Sequence, residues 1–208
     1  MNRVKVKICG MTRAQDIEAA IEAGTDMLGF VFAPSPRQLN LESAVKLVKE
    51  VPPAVKRVGL FMNAGEQQVR EILESLPLDL LQFHGAEDSR FCASFGLPYI
   101  KAIAMGDTSD PSDAAALFPD AIGLLYDSHQ TGKAGGTSRT FDWSLLDNQS
   151  DRVWLAGGLK PGNVAAAIRK VRPWAVDVSS GVETAPGLKS NQLMQAFIRA
   201  AKSVELCI

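Results

Sequence analysis

The chain predicts an α/β protein with one (βα)8 barrel as its only domain, spanning residues 1–208. Three observations carry this. Apolar, β-branched segments alternate with amphipathic ones from end to end. Strand starts recur at spacings of 23, 29, 23, 20, 22, 32 and 22 residues, giving eight units in 208 residues, near the lower limit of roughly 200 for that fold. The rival, an open doubly wound sheet, would open its first turn with G-x-G-x-x-G, whereas this chain reads Cys9-Gly10-Met11-Thr12.

The elements follow in order. In the first strand, Val4–Cys9, Lys5, Lys7 and Cys9 share one face, leaving Val4, Val6 and Ile8 to face the helices. A helical pattern over Ala14–Ala23 closes at Gly24 and leads to strand Met27–Phe32. Helix Leu41–Glu50, strand Lys56–Phe61, helix Glu66–Ser75 and strand Asp79–Phe83 repeat the unit. Helix Ser89–Phe95 closes at Gly96 before strand Tyr99–Ala104. The next two connections are weaker: short helices at Ser112–Leu117 and Trp143–Leu146 flank strand Ala121–Tyr126 and a long loop containing Gly132–Ser138. Strand Val153–Ala156, helix Asn163–Val171 opened by Pro161, strand Ala175–Val178 and helix Asn191–Val204 complete the series. No Pro-, Ser- or Gly-rich linker divides it.

Composition narrows the function. Apolar residues make up 46% and charged residues 22%, and the net charge is −1, which offers no basic field for nucleic acid. No apolar run approaches the roughly 20 residues of a membrane span, and the N-terminus lacks a secretory pattern. Three cysteines without metal-type spacing and two histidines argue against disulfides and structural zinc. A reduced, cytoplasmic protein is expected, monomeric by default with a dimer possible.

In a barrel, chemistry collects at the carboxyl ends of the strands. Those positions hold Cys9, Arg37, His84, Asp127, Gly157-Gly158 and, after the last strand, Asp177 with Ser179-Ser180-Gly181. The two glycine turns suit a phosphorylated small molecule, because glycine lets backbone N–H groups approach its oxygens; either alone could equally be a plain tight turn, but two on adjacent strands favour phosphate. Cys9 is either a general base whose thiol is acidified by Lys7 or a small buried hydrophobe. Asp127 is either an acid kept protonated by burial or a loop cap. Arg37, behind Pro34 and Pro36, is either an anion clamp or a solvated arginine. His84 reads more readily as structural than catalytic. His129 and Cys207 read as loop and tail residues, and Cys92 as core.

Read together, several segments resemble one family. Val6-Lys7-Ile8-Cys9-Gly10-Met11-Thr12, Gly29-Phe30-Val31-Phe32, Ser35-Pro36-Arg37, Gln82-Phe83-His84-Gly85, Phe141-Asp142-Trp143 and Asp177-Val178-Ser179-Ser180-Gly181-Val182-Glu183 are similar, in order, to the signatures of phosphoribosylanthranilate isomerases. The resemblance implies a (βα)8 barrel of tryptophan biosynthesis that works without metal or cofactor. It implies an Amadori rearrangement with Cys9 as base and Asp127 as acid. It also implies Arg37 on the anthranilate carboxylate, His84 and Asp177 on the substrate, and the phosphate on Gly157, Gly158, Ser180 and Gly181. Ser138 departs from the family's third loop glycine, and Ser190 stands where Asp is common. The rivals are another phosphosugar aldose–ketose isomerase, a barrel that binds a phosphorylated ligand without turnover, and an indole-forming lyase, which would need a catalytic lysine such as Lys7 or Lys101 and a glutamate.

Overall fold

The computed structural model describes residues 3–106, 114–129, 140–146 and 152–205. The glycine loop at 132–138, with Ser138, and Cys207 lie outside the described residues. Eight parallel strands close into a barrel in sequence order: β1 (Lys5–Cys9), β2 (Met27–Val31), β3 (Lys56–Phe61), β4 (Leu80–Phe83), β5 (Tyr99–Ala104), β6 (Gly123–Asp127), β7 (Val153–Leu155) and β8 (Ala175–Val178). Closure is made by β1 against β8, with Lys7 opposite Asp177.

The helices are α1 (Ala14–Glu22), α2 (Leu41–Lys49), α3 (Glu66–Ser75), α4 (Ser89–Ala93), α5 (Ala114–Leu117), α6 (Val164–Val171) and α7 (Asn191–Lys202), with 3₁₀ turns at Trp143–Leu146 and Ser180–Val182. Asn40, Asp88 and Ser190 cap α2, α4 and α7 by accepting from a backbone N–H three residues on. Ser190 therefore does the work expected of an N-cap. The elements lie within a residue or two of their expected bounds. α4 stops at Ala93, and β6 runs from Gly123 to Asp127, one residue past its expected end, which makes Asp127 the last residue of a strand instead of the first of a loop. A hairpin of β9 (Glu183–Ala185) and β10 (Leu188–Lys189) follows β8. It was not read from the sequence because strands of two or three residues carry no period.

The period of two sorts side chains between two cores. Outward residues such as Val6, Ile8, Leu28, Phe30, Leu124 and Val176 join the helices in the larger one. Inward residues Met27, Val58, Leu80, Ile100, Leu125, Trp154 and Ala175 fill the barrel's lower interior. Continuing along the same inward faces reaches the mouth: Cys9, Val31, Leu60, Gln82, Asp127 and Asp177. A dry floor thus supports a polar mouth on the same eight strands. Among the described residues, no helix is long and apolar enough to cross a membrane.

Candidate active site

The mouth holds two adjoining pockets. One has an apolar wall of Val31, Ala33, Leu60 and Met62, with Cys9, Arg37, Gln82 and His84 around it. The other is lined by Gly157, Gly158, Leu159, Ser180 and Gly181. Asp127, Asp177 and Ser179 line both, so a ligand spanning the pockets passes these three side chains.

The glycine pocket depends on the absence of side chains. Gly157 and Gly158 take φ of 79° and 63°, where a side chain strains the backbone. A Cβ on Gly181 would collide with the Leu159 carbonyl oxygen, so the turns after β7 and β8 pack together only with glycine there. Gly29 does the same beside Cys9: a Cβ would stand 2.8 Å from Cys9 Sγ and 3.1 Å from Lys7 Nζ.

Lys7 is wholly buried next to Cys9 and paired with Asp177 at 2.9 Å. Burial works against its charge, but Asp177 and Cys9 outweigh it and raise its pKa. The expectation that Lys7 makes Cys9 an unusually acidic thiol is not met. Burial pushes the Cys9 thiol up, and Lys7 and Lys189 only partly offset it. Asp127 departs from expectation in the opposite sense. Burial pushes its carboxyl up, yet His129 and His84 pull harder and hold it below the usual carboxylate range. In the free protein the proton therefore sits on Cys9 and Asp127 is an anion.

His84 and His129 stack at 4.3 Å between ring centroids, with His84 Nε2 3.9 Å and His129 Nδ1 3.7 Å from the Asp127 oxygens. Both atoms are buried without a hydrogen-bond partner among the described residues. Gln82 Nε2 lies 3.2 Å from His84 Nδ1; with the amide as donor, the ring's own proton faces Asp127. Burial pushes the His84 pKa down to about 4, so this imidazole is neutral at pH 7. His129, read from sequence as a loop residue, is instead 2% exposed and donates its backbone N–H to Asp127 at 3.3 Å. Its position past the end of β6 gives it no periodic signal. His84, Asp127 and His129 are the residues that would hold a metal ion, having one potential ligand atom each within 4.8 Å of the others. Stacked rings direct their in-plane lone pairs side by side, however, and one ring would have to rotate before both reached a cation at about 2.0–2.1 Å.

Arg37 reaches the pocket as read, but it is not a free guanidinium. Its Nε and one Nη donate to Glu183 at 2.8 and 2.7 Å, which fixes its plane and raises its pKa. Lys101, a residue the lyase reading would need, points outward to Glu87 at 3.1 Å, away from the mouth. Cys92 is fully buried, and burial pushes its thiol up to about 12, which fits an inert core residue.

The fold and this pair of pockets define a (βα)8 barrel with titratable side chains at its mouth, beside two glycine turns. Comparison with known proteins agrees and is more specific. Residues 6–200 match the family model of N-(5'-phosphoribosyl)anthranilate (PRA) isomerase, and the chain belongs to that family. A relative named N-(5'-phosphoribosyl)anthranilate isomerase, from Thiobacillus denitrificans, is 52% identical across 96% of this chain and 98% of its own. A solved phosphoribosyl anthranilate isomerase in complex with reduced 1-(o-carboxyphenylamino)-1-deoxyribulose 5-phosphate superposes with a TM-score of 0.84 at 38% identity, covering 97% of this chain and 100% of that one. A structure of monomers made from the dimeric Thermotoga maritima enzyme gives 0.82 at 36% identity, covering 97% and 100%.

Proposed function

We propose that the chain converts N-(5-phosphoribosyl)anthranilate into 1-(2-carboxyphenylamino)-1-deoxyribulose 5-phosphate, an Amadori rearrangement of tryptophan biosynthesis. The observation that carries this is the junction of the two pockets. An apolar, arginine-edged pocket suits a carboxylated aromatic ring and a glycine pocket suits a phosphate. Asp127, which lines both pockets, is the acid, and Cys9, which lines the first, is the base. Arg37 takes the anthranilate carboxylate. Gly157, Gly158, Ser180 and Gly181 take the phosphate, and His84 and Asp177 contact the sugar.

In the reaction Asp127 gives a proton to the ribose ring oxygen, the C1′–O bond breaks, and the nitrogen lone pair forms a Schiff base. Cys9 then removes the C2′ proton, whose electron pair forms the C1′=C2′ bond of an enolamine. Loss of the C2′ hydroxyl proton and gain of one at C1′ gives the ketone. Turnover thus ends with Cys9 as thiol and Asp127 as carboxylate, the state the free site favours. Before the next cycle a proton must move from Cys9 to Asp127. Substrate helps, because its phosphate brings negative charge to the pocket that Asp127 also lines and raises that carboxyl's pKa.

The test is to follow anthranilate-type fluorescence when purified protein meets phosphoribosylanthranilate. Loss of signal without any added metal or cofactor is expected; no change at micromolar enzyme contradicts the reading and favours a barrel that only binds. Residues 1–208 are read as one catalytic domain acting in the cytoplasm as a monomer. A sedimentation velocity run in which the mass doubles would replace the monomer with a dimer.

A further inference from the structure

Lys189 takes no part in the chemistry above, yet its side chain is wholly buried at the junction of several parts of the site. It lies on β10, in the hairpin beyond β8. Its Nζ donates to the Cys9 carbonyl oxygen at 2.6 Å and to the Ser179 carbonyl oxygen at 3.2 Å. The same ammonium lies 3.3 Å from Ser179 Oγ and 2.7 Å from Glu183 Oε1. Glu183 is the carboxylate that holds Arg37 in bidentate fashion. A continuous chain of charge-assisted bonds therefore runs from the backbone of Cys9 through Lys189 and Glu183 to Arg37. The backbone of Lys189 is pinned as well: its carbonyl accepts from Arg13 at 3.1 Å, and its N–H donates to Asp16 at 3.2 Å.

We propose that Lys189 is a positioning residue that couples the base to the carboxylate clamp. Its ammonium fixes the end of β1 that carries Cys9 and, through Glu183, fixes the plane in which Arg37 meets the substrate. The inference rests on the reading of Cys9 and Arg37 given above. Electrostatics adds a second effect of the same group. The charges around Cys9 come from Lys7 on its own strand, Asp177 on β8, Lys189 on β10 and Arg37 in the β2–α2 loop, while Gly29 on β2 brings none. Lys7 and Asp177 cancel, whereas Glu183 is shared between Arg37 and Lys189. After Lys7, Lys189 is the cation that most favours the thiolate at Cys9 among the described residues.

A purely structural tie would be felt in stability alone, so the test reads more than stability. In Lys189→Met, kcat is expected to fall and KM to rise, together on the order of 10²-fold in kcat/KM, the scale of a 1 Å misplacement in an active site. The pH at which iodoacetamide modifies Cys9, followed by peptide mass mapping, is expected to move up. Lys189→Arg should bring that pH back toward the wild-type value. Glu183→Gln should raise KM for the carboxylated substrate without a matching rise for its decarboxylated analogue. Wild-type kcat, KM and Cys9 profile in folded Lys189→Met would overturn the proposal even if its melting temperature fell. Should that variant fail to fold, equal KM changes for both substrates in Glu183→Gln overturn it. Turnover surviving in Cys9→Ala would instead remove the reading beneath it.

Discussion

The two sides of the barrel mouth hold their reactive groups by opposite means. On the β1–β8 side, Cys9 sits among charges: Lys7 paired with Asp177 below it, and Lys189 with Glu183 behind it. On the β4–β6 side, Asp127 sits against two stacked imidazoles, of which His84 is held neutral by burial. Cations do not suffice to make Cys9 a ready thiolate, because burial outweighs them. Hydrogen bonding from His129, together with the attraction of His84 and His129, suffices to keep Asp127 ionised, because these outweigh burial. Burial and partners thus compete on each side with a different winner. On the roles proposed above, the free site holds its proton on the base, and the cycle needs it on the acid.

The largest expected effects strike the two groups themselves. Cys9→Ala and Asp127→Asn should each lower kcat by about 10²–10⁴-fold, the usual contribution of a general acid or base, with little change in the affinity of phosphorylated inhibitors. Steady-state kinetics with a competitive-binding assay checks this; near wild-type turnover in either variant removes that residue from its role. Lys7→Met should be felt mainly as instability. It leaves Asp177 buried without its partner, a loss of roughly 3–5 kcal/mol by denaturant unfolding. Unchanged stability would mean that the β1–β8 side is not held by charge.

Smaller effects sharpen the contrast. Arg37→Ala should raise KM for the carboxylated substrate by roughly 10- to 100-fold, the worth of a charge-assisted hydrogen bond of about 1.5–3 kcal/mol. Equal loss for a decarboxylated analogue would count against the clamp. His129→Asn should act on pH dependence more than on rate. The imidazole lowers the Asp127 pKa, so its removal lets that pKa rise, and the acid limb of kcat/KM should move to higher pH. An unmoved limb would mean that His129 does not govern the acid.

Much of this was legible in the sequence, for reasons that can be named. The period of two placed Lys7 and Cys9 on one inward face, and the recurrence of strands placed Asp127, Asp177 and the glycine turns at one end. The direction of each pKa was not legible, because it depends on which of burial and partners wins. His129 was missed because it lies beyond the last residue of β6, where periodicity stops. The clamp's true state was hidden for another reason: Arg37 and Glu183 are 146 residues apart, and only the hairpin after β8 brings them together. Lys189 gave no signal at all, since a buried lysine in a two-residue strand reads as an ordinary surface residue.

The dependence of kcat/KM on pH, corrected for ionisation of the substrate phosphate, tests the central claim most directly. Activity needs one proton on the Cys9–Asp127 pair, wherever it rests. The account therefore expects a broad plateau across neutrality. Its acid limb should lie below the usual carboxylate range, where both groups become protonated. Its alkaline limb should lie above the usual thiol range, where both lose their protons. A narrow bell, with its acid limb above the usual carboxylate range and its alkaline limb below the usual thiol range, would contradict it, because neither shift would then be present in the free protein.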